Sequence, residues 1–122
     1  MEVVIATGHL RTCQRLTEAL SSRGHKVTTA STSADLLRRC LRGEVGLALV
    51  DMDLGPLSGV ELLELIKEVD GDLLLVPLVG DSHRETEFAI RRLGVFYYML
   101  KPVDPEELLA LMDSAARRRA AS

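Results

Sequence analysis

Leu47-Ala48-Leu49-Val50-Asp51 is an unbroken apolar run ending on a carboxylate. No polar residue alternates with the apolar ones, so this segment has no solvent face. That is the pattern of a central parallel strand covered on both sides. Covering both faces requires helices, and the flanking sequence supplies them. Upstream, Leu36, Leu37, Cys40 and Leu41 mark a helix that closes at Gly43. Downstream, Ser58-Gly59-Val60-Glu61 is a capping-box pattern, with Ser at the N-cap and Glu at the third helical position, and it opens a helix through Val69.

The same alternation continues outward in both directions. Toward the N-terminus, Val3-Val4-Ile5-Ala6 reads as a first strand, and Leu10, Cys13, Leu16 and Leu20 give a helical stripe, with Gly24 as its C′ residue. Lys26-Val27-Thr28-Thr29-Ala30 is the second strand. Toward the C-terminus, Asp70-Gly71-Asp72 is a turn, and Leu73 to Val79 is a fourth strand in which Pro77 predicts a strand end or a bulge. Ser82-His83-Arg84-Glu85 is a second capping box, leading into a stripe of Phe88, Ala89, Ile90 and Leu93. Val95 to Leu100 is the fifth strand. Asp104-Pro105-Glu106-Glu107 starts the last helix, with Asp at the N-cap, Pro at the first position and acid in the first turn. That helix runs through Leu108, Leu109, Leu111, Met112 and Ala115 to Arg117-Arg118-Arg119. The triple Arg is either a solvated helix end or, from about residue 117, the start of a linker.

Five strand–helix units in 122 residues are too few for an eightfold barrel. Right-handed crossovers predict one α/β domain over residues 1–122: a doubly wound, flavodoxin-like parallel sheet of order 2-1-3-4-5 with helices on both faces. Composition narrows the function. The net charge of −3 argues against nucleic-acid binding by this domain. Aromatic content of 3% with no Trp leaves few rings to stack on a flavin or a base. Cys13 and Cys40 sit in apolar stripes, which suits reduced core thiols, and neither has zinc-like spacing. No apolar run approaches the ~20 residues of a membrane span. The expectation is a soluble, cytoplasmic domain.

In such folds the site lies beyond the carboxyl ends of the strands. Thr7, Gly8 and His9 follow the first strand, Asp51, Met52 and Asp53 end and follow the third, Gly80 and Asp81 follow the fourth, and Lys101-Pro102 follows the fifth. Asp51 and Lys101 can converge there. A carboxylate facing an ammonium suits a phosphoryl acceptor with a charge partner. It equally suits a plain ion pair that fixes the fifth loop, and spacing alone does not choose. His9, His25 and His83 read as solvent-facing residues, and Arg91-Arg92 as a solvated helix face.

Leu47 to Asp51 with Gly59 eight residues beyond the Asp, and Tyr98-Met99-Leu100-Lys101-Pro102-Val103-Asp104-Pro105-Glu106-Glu107-Leu108, resemble the response-regulator receiver family over essentially the whole chain. The resemblance implies that Asp51 is the phospho-acceptor and Lys101 the phosphoryl contact. It also implies that Tyr98 is the switch aromatic and that the Lys101–Pro102 peptide is cis. In that family two acidic residues after the first strand hold Mg²⁺ with the acceptor Asp, and a Ser or Thr ends the fourth strand. Here Thr7 and Gly8 stand at the acidic pair and Val79 at the hydroxyl. Gly55 stands at a usual Pro, and Ser58 where an Asp is common.

Phosphoryl transfer relies on a divalent cation to bring two anions together, and Mg²⁺ usually needs one or two carboxylates. Asp51 alone is a poor site, and Asp53 reads as a solvated loop acid. The expectation is therefore a degenerate receiver, a pseudo-receiver that is not an enzyme. No cofactor is expected beyond weak Mg²⁺ at Asp51 and Asp53. It would work by protein–protein contacts, with weak or absent phosphorylation at Asp51. One alternative is a working phospho-acceptor with an altered metal site. A distant one is a small flavin- or phosphate-binding enzyme using Thr7-Gly8-His9-Leu10 as a phosphate turn. Expected partners are a histidine kinase or an output domain, and a second copy through the fourth helix, fifth strand and fifth helix, where Phe96, Tyr97 and Tyr98 cluster.

Overall fold

The computed structural model describes residues 1–80 and 84–121. In chain order it contains β1 (Glu2–Ala6), α1 (Leu10–Ser21), β2 (Lys26–Ala30), α2 (Ser33–Leu41), β3 (Leu47–Asp51), α3 (Gly59–Val69), β4 (Leu74–Val79), α4 (Arg84–Arg92), β5 (Met99–Leu100) and α5 (Pro105–Ala121). The strands form one sheet of order β2-β1-β3-β4-β5, and every pair is parallel. The all-apolar β3 lies at its centre between β1 and β4, buried at every residue.

Period-two alternation sends each strand's side chains to opposite faces. Val3, Ile5, Leu47, Leu49, Leu74, Val76 and Leu78 pack against Leu16 and Leu20 of α1 and Leu108, Leu111 and Met112 of α5. Val4, Ala6, Ala48, Val50, Leu75 and Val79 pack against Leu36 and Cys40 of α2, Leu62, Leu63 and Ile66 of α3, and Ile90 of α4. Each fully buried Leu or Ile contributes about 1.5–3 kcal/mol relative to exposure. Two aliphatic cores thus clamp the sheet and hold the strand ends in place. Cys13 and Cys40 are free and sit against opposite cores.

Capping follows local chemistry. The Ser58 hydroxyl accepts from the Glu61 N–H at 3.2 Å, as its capping box predicts. Thr32 does the same for Asp35 at 3.1 Å, and Asp104 accepts from the Glu106 N–H at 3.0 Å. The Ser82-His83 half of the second capping box, and Asp81 beside it, lie outside the described residues.

Several boundaries differ from expectation. β5 is two residues long, not six, and Pro77 lies inside β4, paired with Val50 in an unbroken register. The two findings share a cause. The Leu78 carbonyl accepts from Met52 on the β3 side and the Val79 carbonyl from Lys101 on the β5 side, so Pro77 also faces β5. The next rung toward residue 97 would need an N–H that proline lacks, and the β4–β5 ladder stops there. Gly43 follows the C-cap Arg42 directly and takes φ 70°, whereas Gly24 (φ 81°) comes one residue later, after Ser22 and Arg23. Leu10, Leu41 and Phe88 are exposed rather than part of the core stripes. Phe88 stands ~200° around α4 from the buried Ile90, so the two cannot share a face. α5 runs through Ala121, which places Arg117 to Arg119 inside the helix.

Candidate functional site

Asp51 closes β3 with its side chain 2% exposed, and its carboxylate is held from three elements. The Lys101 ammonium donates to Oδ1 at 2.7 Å, and the Asp53 N–H donates to the same oxygen at 3.0 Å. The Thr7 hydroxyl, after β1, donates to Oδ2 at 3.0 Å. Thr7 Oγ1 in turn accepts the His9 N–H at 3.1 Å, which shapes the turn into α1. Lys101 also donates to Asp53 Oδ2 at 3.3 Å. The lysine arrives because its own N–H bonds the Val79 carbonyl at the end of β4.

The electrostatics follow from this wiring. Burial works against the Asp51 charge, but hydrogen bonds from Lys101, the Asp53 N–H and Thr7, with the Lys101 charge, outweigh it and hold the carboxyl below its usual value. Burial likewise works against the Lys101 charge. Asp51 and Asp53 outweigh it and raise the ammonium's value. The pair is ionised at neutral pH.

The structure brings Asp51, Asp53, Thr7 and Lys101 together. Val79 is buried at the strand end and brings no hydroxyl. Gly8 is exposed and brings no side chain. Tyr98 stands apart, half-buried against the α2–α3–α4 core. It lines a groove of about 600 Å³ with Arg91, Val95, Phe96, Tyr97, Leu100 and Glu107. The Lys101–Pro102 peptide is cis, as expected, and so is Gly55–Pro56, which the sequence did not suggest.

Three features escaped the sequence. His9, though 67% exposed, places Nε2 at 3.9 Å from Asp51 Oδ2. Thr7 followed by Gly8 at a strand end was the available signal, because a Thr hydroxyl readily takes the N–H two residues on and folds the chain back. Asp53 is the solvated loop acid expected, its side chain 77% exposed, but its carboxylate also accepts from Lys101 at 3.3 Å. Gly80 lies beside the lysine, where a Cβ would make ordinary contact with Lys101 Cε at 3.4 Å. Gly59, eight residues beyond Asp51, meets the β3–α3 loop: a Cβ would fall 2.8 Å from the Met52 carbonyl oxygen. That contact gives the Asp-to-Gly spacing its steric reason.

A buried strand-end Asp paired to a Lys-cis-Pro across a 2-1-3-4-5 sheet is matched by the response regulator receiver domain family over residues 3–113. The chain belongs to that family. Among curated relatives it is 29% identical over 100 residues to the DNA-binding transcriptional regulator NtrC of Azospirillum brasilense, covering 82% of this chain and 21% of that protein. It is 30% identical over 101 residues to the transcriptional regulatory protein GlrR of Escherichia coli, covering 83% and 23%. This chain therefore spans about a fifth of those two relatives. The fold superposes on a CheY-like receiver domain protein from Methanospirillum hungatei with TM-score 0.91 at 22% identity, covering 99% and 98% of the two chains. A receiver domain from Clostridium thermocellum gives 0.89 at 24%, covering 98% and 97%.

Receivers are signalling modules, and the family implies a divalent cation beside the strand-end Asp. The chain's donors at that place are Asp51, Asp53, His9 and the Thr7 hydroxyl. Among the described residues no group of three or more His, Cys, Asp or Glu side chains is gathered as a metal would require. No helix among them is long and apolar enough to cross a membrane.

Proposed function

We propose that this receiver signals through protein–protein contacts and that Asp51 is weakly phosphorylated or not at all. The observation behind this is the hydrogen-bonding of Asp51. Where the family has an acidic pair, Thr7 turns a hydroxyl hydrogen onto Oδ2 and Gly8 has nothing to offer. The two carboxylates present are a poor Mg²⁺ site because both already accept from the Lys101 ammonium, and no acidic pair stands after β1 to add to the one or two carboxylates that ion uses. Val79 adds a second loss, having no hydroxyl for a phosphoryl oxygen. The scaffold and the ion pair are intact while the means of neutralising an incoming phosphate are reduced.

The partners follow from the family: a histidine kinase or an output domain, and a second copy of this chain meeting it through α4, β5 and α5. Tyr97 and Leu100 are exposed there beside the groove that Tyr98 lines. A working phospho-acceptor is the second reading, favoured by one feature: Asp51 is ionised and Lys101 sits 2.7 Å away, as an acceptor needs. Family membership favours either over a flavin- or phosphate-binding enzyme.

A phosphate-analogue titration with Mg²⁺, followed by amide chemical shifts around Asp51, separates the two. The pseudo-receiver shows no saturable shift at residues 51–53 and 101. A saturable shift there that needs the phosphate analogue as well as millimolar Mg²⁺ identifies the working acceptor.

A further inference from the structure

We infer that Lys101, with Thr7, occupies in this chain the charge-compensating role of a divalent cation, so that the Asp51 site is a permanent, metal-independent tie between three loops. The inference deepens the pseudo-receiver reading and rests on it only for the position of the site. Its basis is an inventory of lone pairs.

A carboxylate offers about four acceptor directions. Oδ1 takes Lys101 at 2.7 Å and the Asp53 N–H at 3.0 Å, which fills its two. Oδ2 takes the Thr7 hydroxyl at 3.0 Å. Its remaining direction opens toward His9, whose Nε2 lies 3.9 Å off. A hard cation arriving at Oδ2 would meet one free lone pair of Asp51 and an imidazole, a nitrogen ligand that suits Zn²⁺, Cu²⁺ or Ni²⁺ better than Mg²⁺. The Asp53 carboxylate stands on the Oδ1 side, joined to it through Lys101. Formal charge points the same way. The acceptor Asp, the acidic-pair positions and the lysine sum to 0 here, with Thr7 and Gly8 neutral, against −2 with an acidic pair, and Asp53 brings this cluster to −1. The attraction for a dication is correspondingly smaller.

The tie is also mechanical. Thr7 links the β1–α1 turn to β3 through the His9 N–H and Asp51. Lys101 links the β5–α5 loop to both β3 and the following loop through Asp51 and Asp53. Removing the ammonium leaves Asp51 buried with two neutral donors, and only then does a dication have a charge to answer.

Thermal unfolding of the whole chain tests this, with Mg²⁺ or Mn²⁺ varied from zero (with chelator) to 20 mM, on the wild type and on Lys101→Met. The expected wild-type melting temperature is flat across the series, and Mn²⁺ leaves the amide resonances of residues 7–9 and 51–53 unbroadened. Lys101→Met is expected to melt lower and to recover part of the loss as Mg²⁺ rises. A wild-type melting temperature that climbs with Mg²⁺, together with saturable Mn²⁺ broadening at those amides, overturns the inference. The wild-type arm decides even where Lys101→Met does not fold. Metal binding without covalent labelling of Asp51 would sink this inference and leave the pseudo-receiver reading standing. Labelling of Asp51 would sink that reading.

Discussion

Asp51 owes its ionised state to groups on three different loops, and each is separately testable. Thr7→Val keeps the shape of the side chain and removes the hydrogen bond to Oδ2. It should cost about 1.5–3 kcal/mol in urea unfolding, the range for a hydrogen bond to a charged group. A loss below about 0.5 kcal/mol would mean that water replaces the hydroxyl. The acid limb of stability carries the same signature. The folded carboxyl lies below its unfolded value of roughly 3.9, so its contribution is complete above about pH 4 and is lost as pH falls through the folded value. The stability gap between wild type and Asp51→Asn should therefore shrink below about pH 4, and a gap that stays constant to pH 2 would contradict this wiring. Asp51 and Lys101 were legible as partners because the strand-end rule names both. The role of Thr7 as a donor was not, since only the folded turn shows which way its hydroxyl points.

Among the elements, β3 and α3 were the most legible. An all-apolar run has one comfortable place in a sheet, and Ser58 to Glu61 carries its own cap. β5 was the least legible, because its length is set by a residue on another strand. Val95 to Leu100 is apolar enough to be a strand, yet Pro77 of β4 withholds the N–H that would extend the ladder. Leu10 is exposed at the first position of α1, and Phe88 is exposed because it lies mid-helix on the side of α4 away from Ile90. At the β3–α3 junction, Gly59→Ala should destabilise by about 1–3 kcal/mol, as overpacking does. The added Cβ meets the Met52 carbonyl oxygen at 2.8 Å, and a backbone atom cannot withdraw as a side chain can. An unchanged melting temperature for Gly59→Ala would show that the loop shifts freely.

Over the whole molecule, the Asp51 cluster at the strand carboxyl ends lies apart from the aromatic face along α4, β5 and α5 that we propose for partners. Phe96 packs toward α5 under the Arg118 guanidinium, 5.3 Å from its ring, while Tyr98 packs toward α4. Tyr97 packs into neither core and is 47% exposed. Tyr97→Ala and Tyr98→Ala should each weaken self-association or partner capture in sedimentation and pull-down measurements, and if neither does, the face is misassigned. We propose that the chain keeps the receiver scaffold without the means to phosphorylate Asp51. Intact mass after acetyl phosphate and Mg²⁺, on the wild type beside Thr7→Asp/Gly8→Asp, tests it most directly. The account predicts an unmodified wild type and a double mutant that gains one phosphoryl group, and full labelling of the wild type at Asp51 would contradict it.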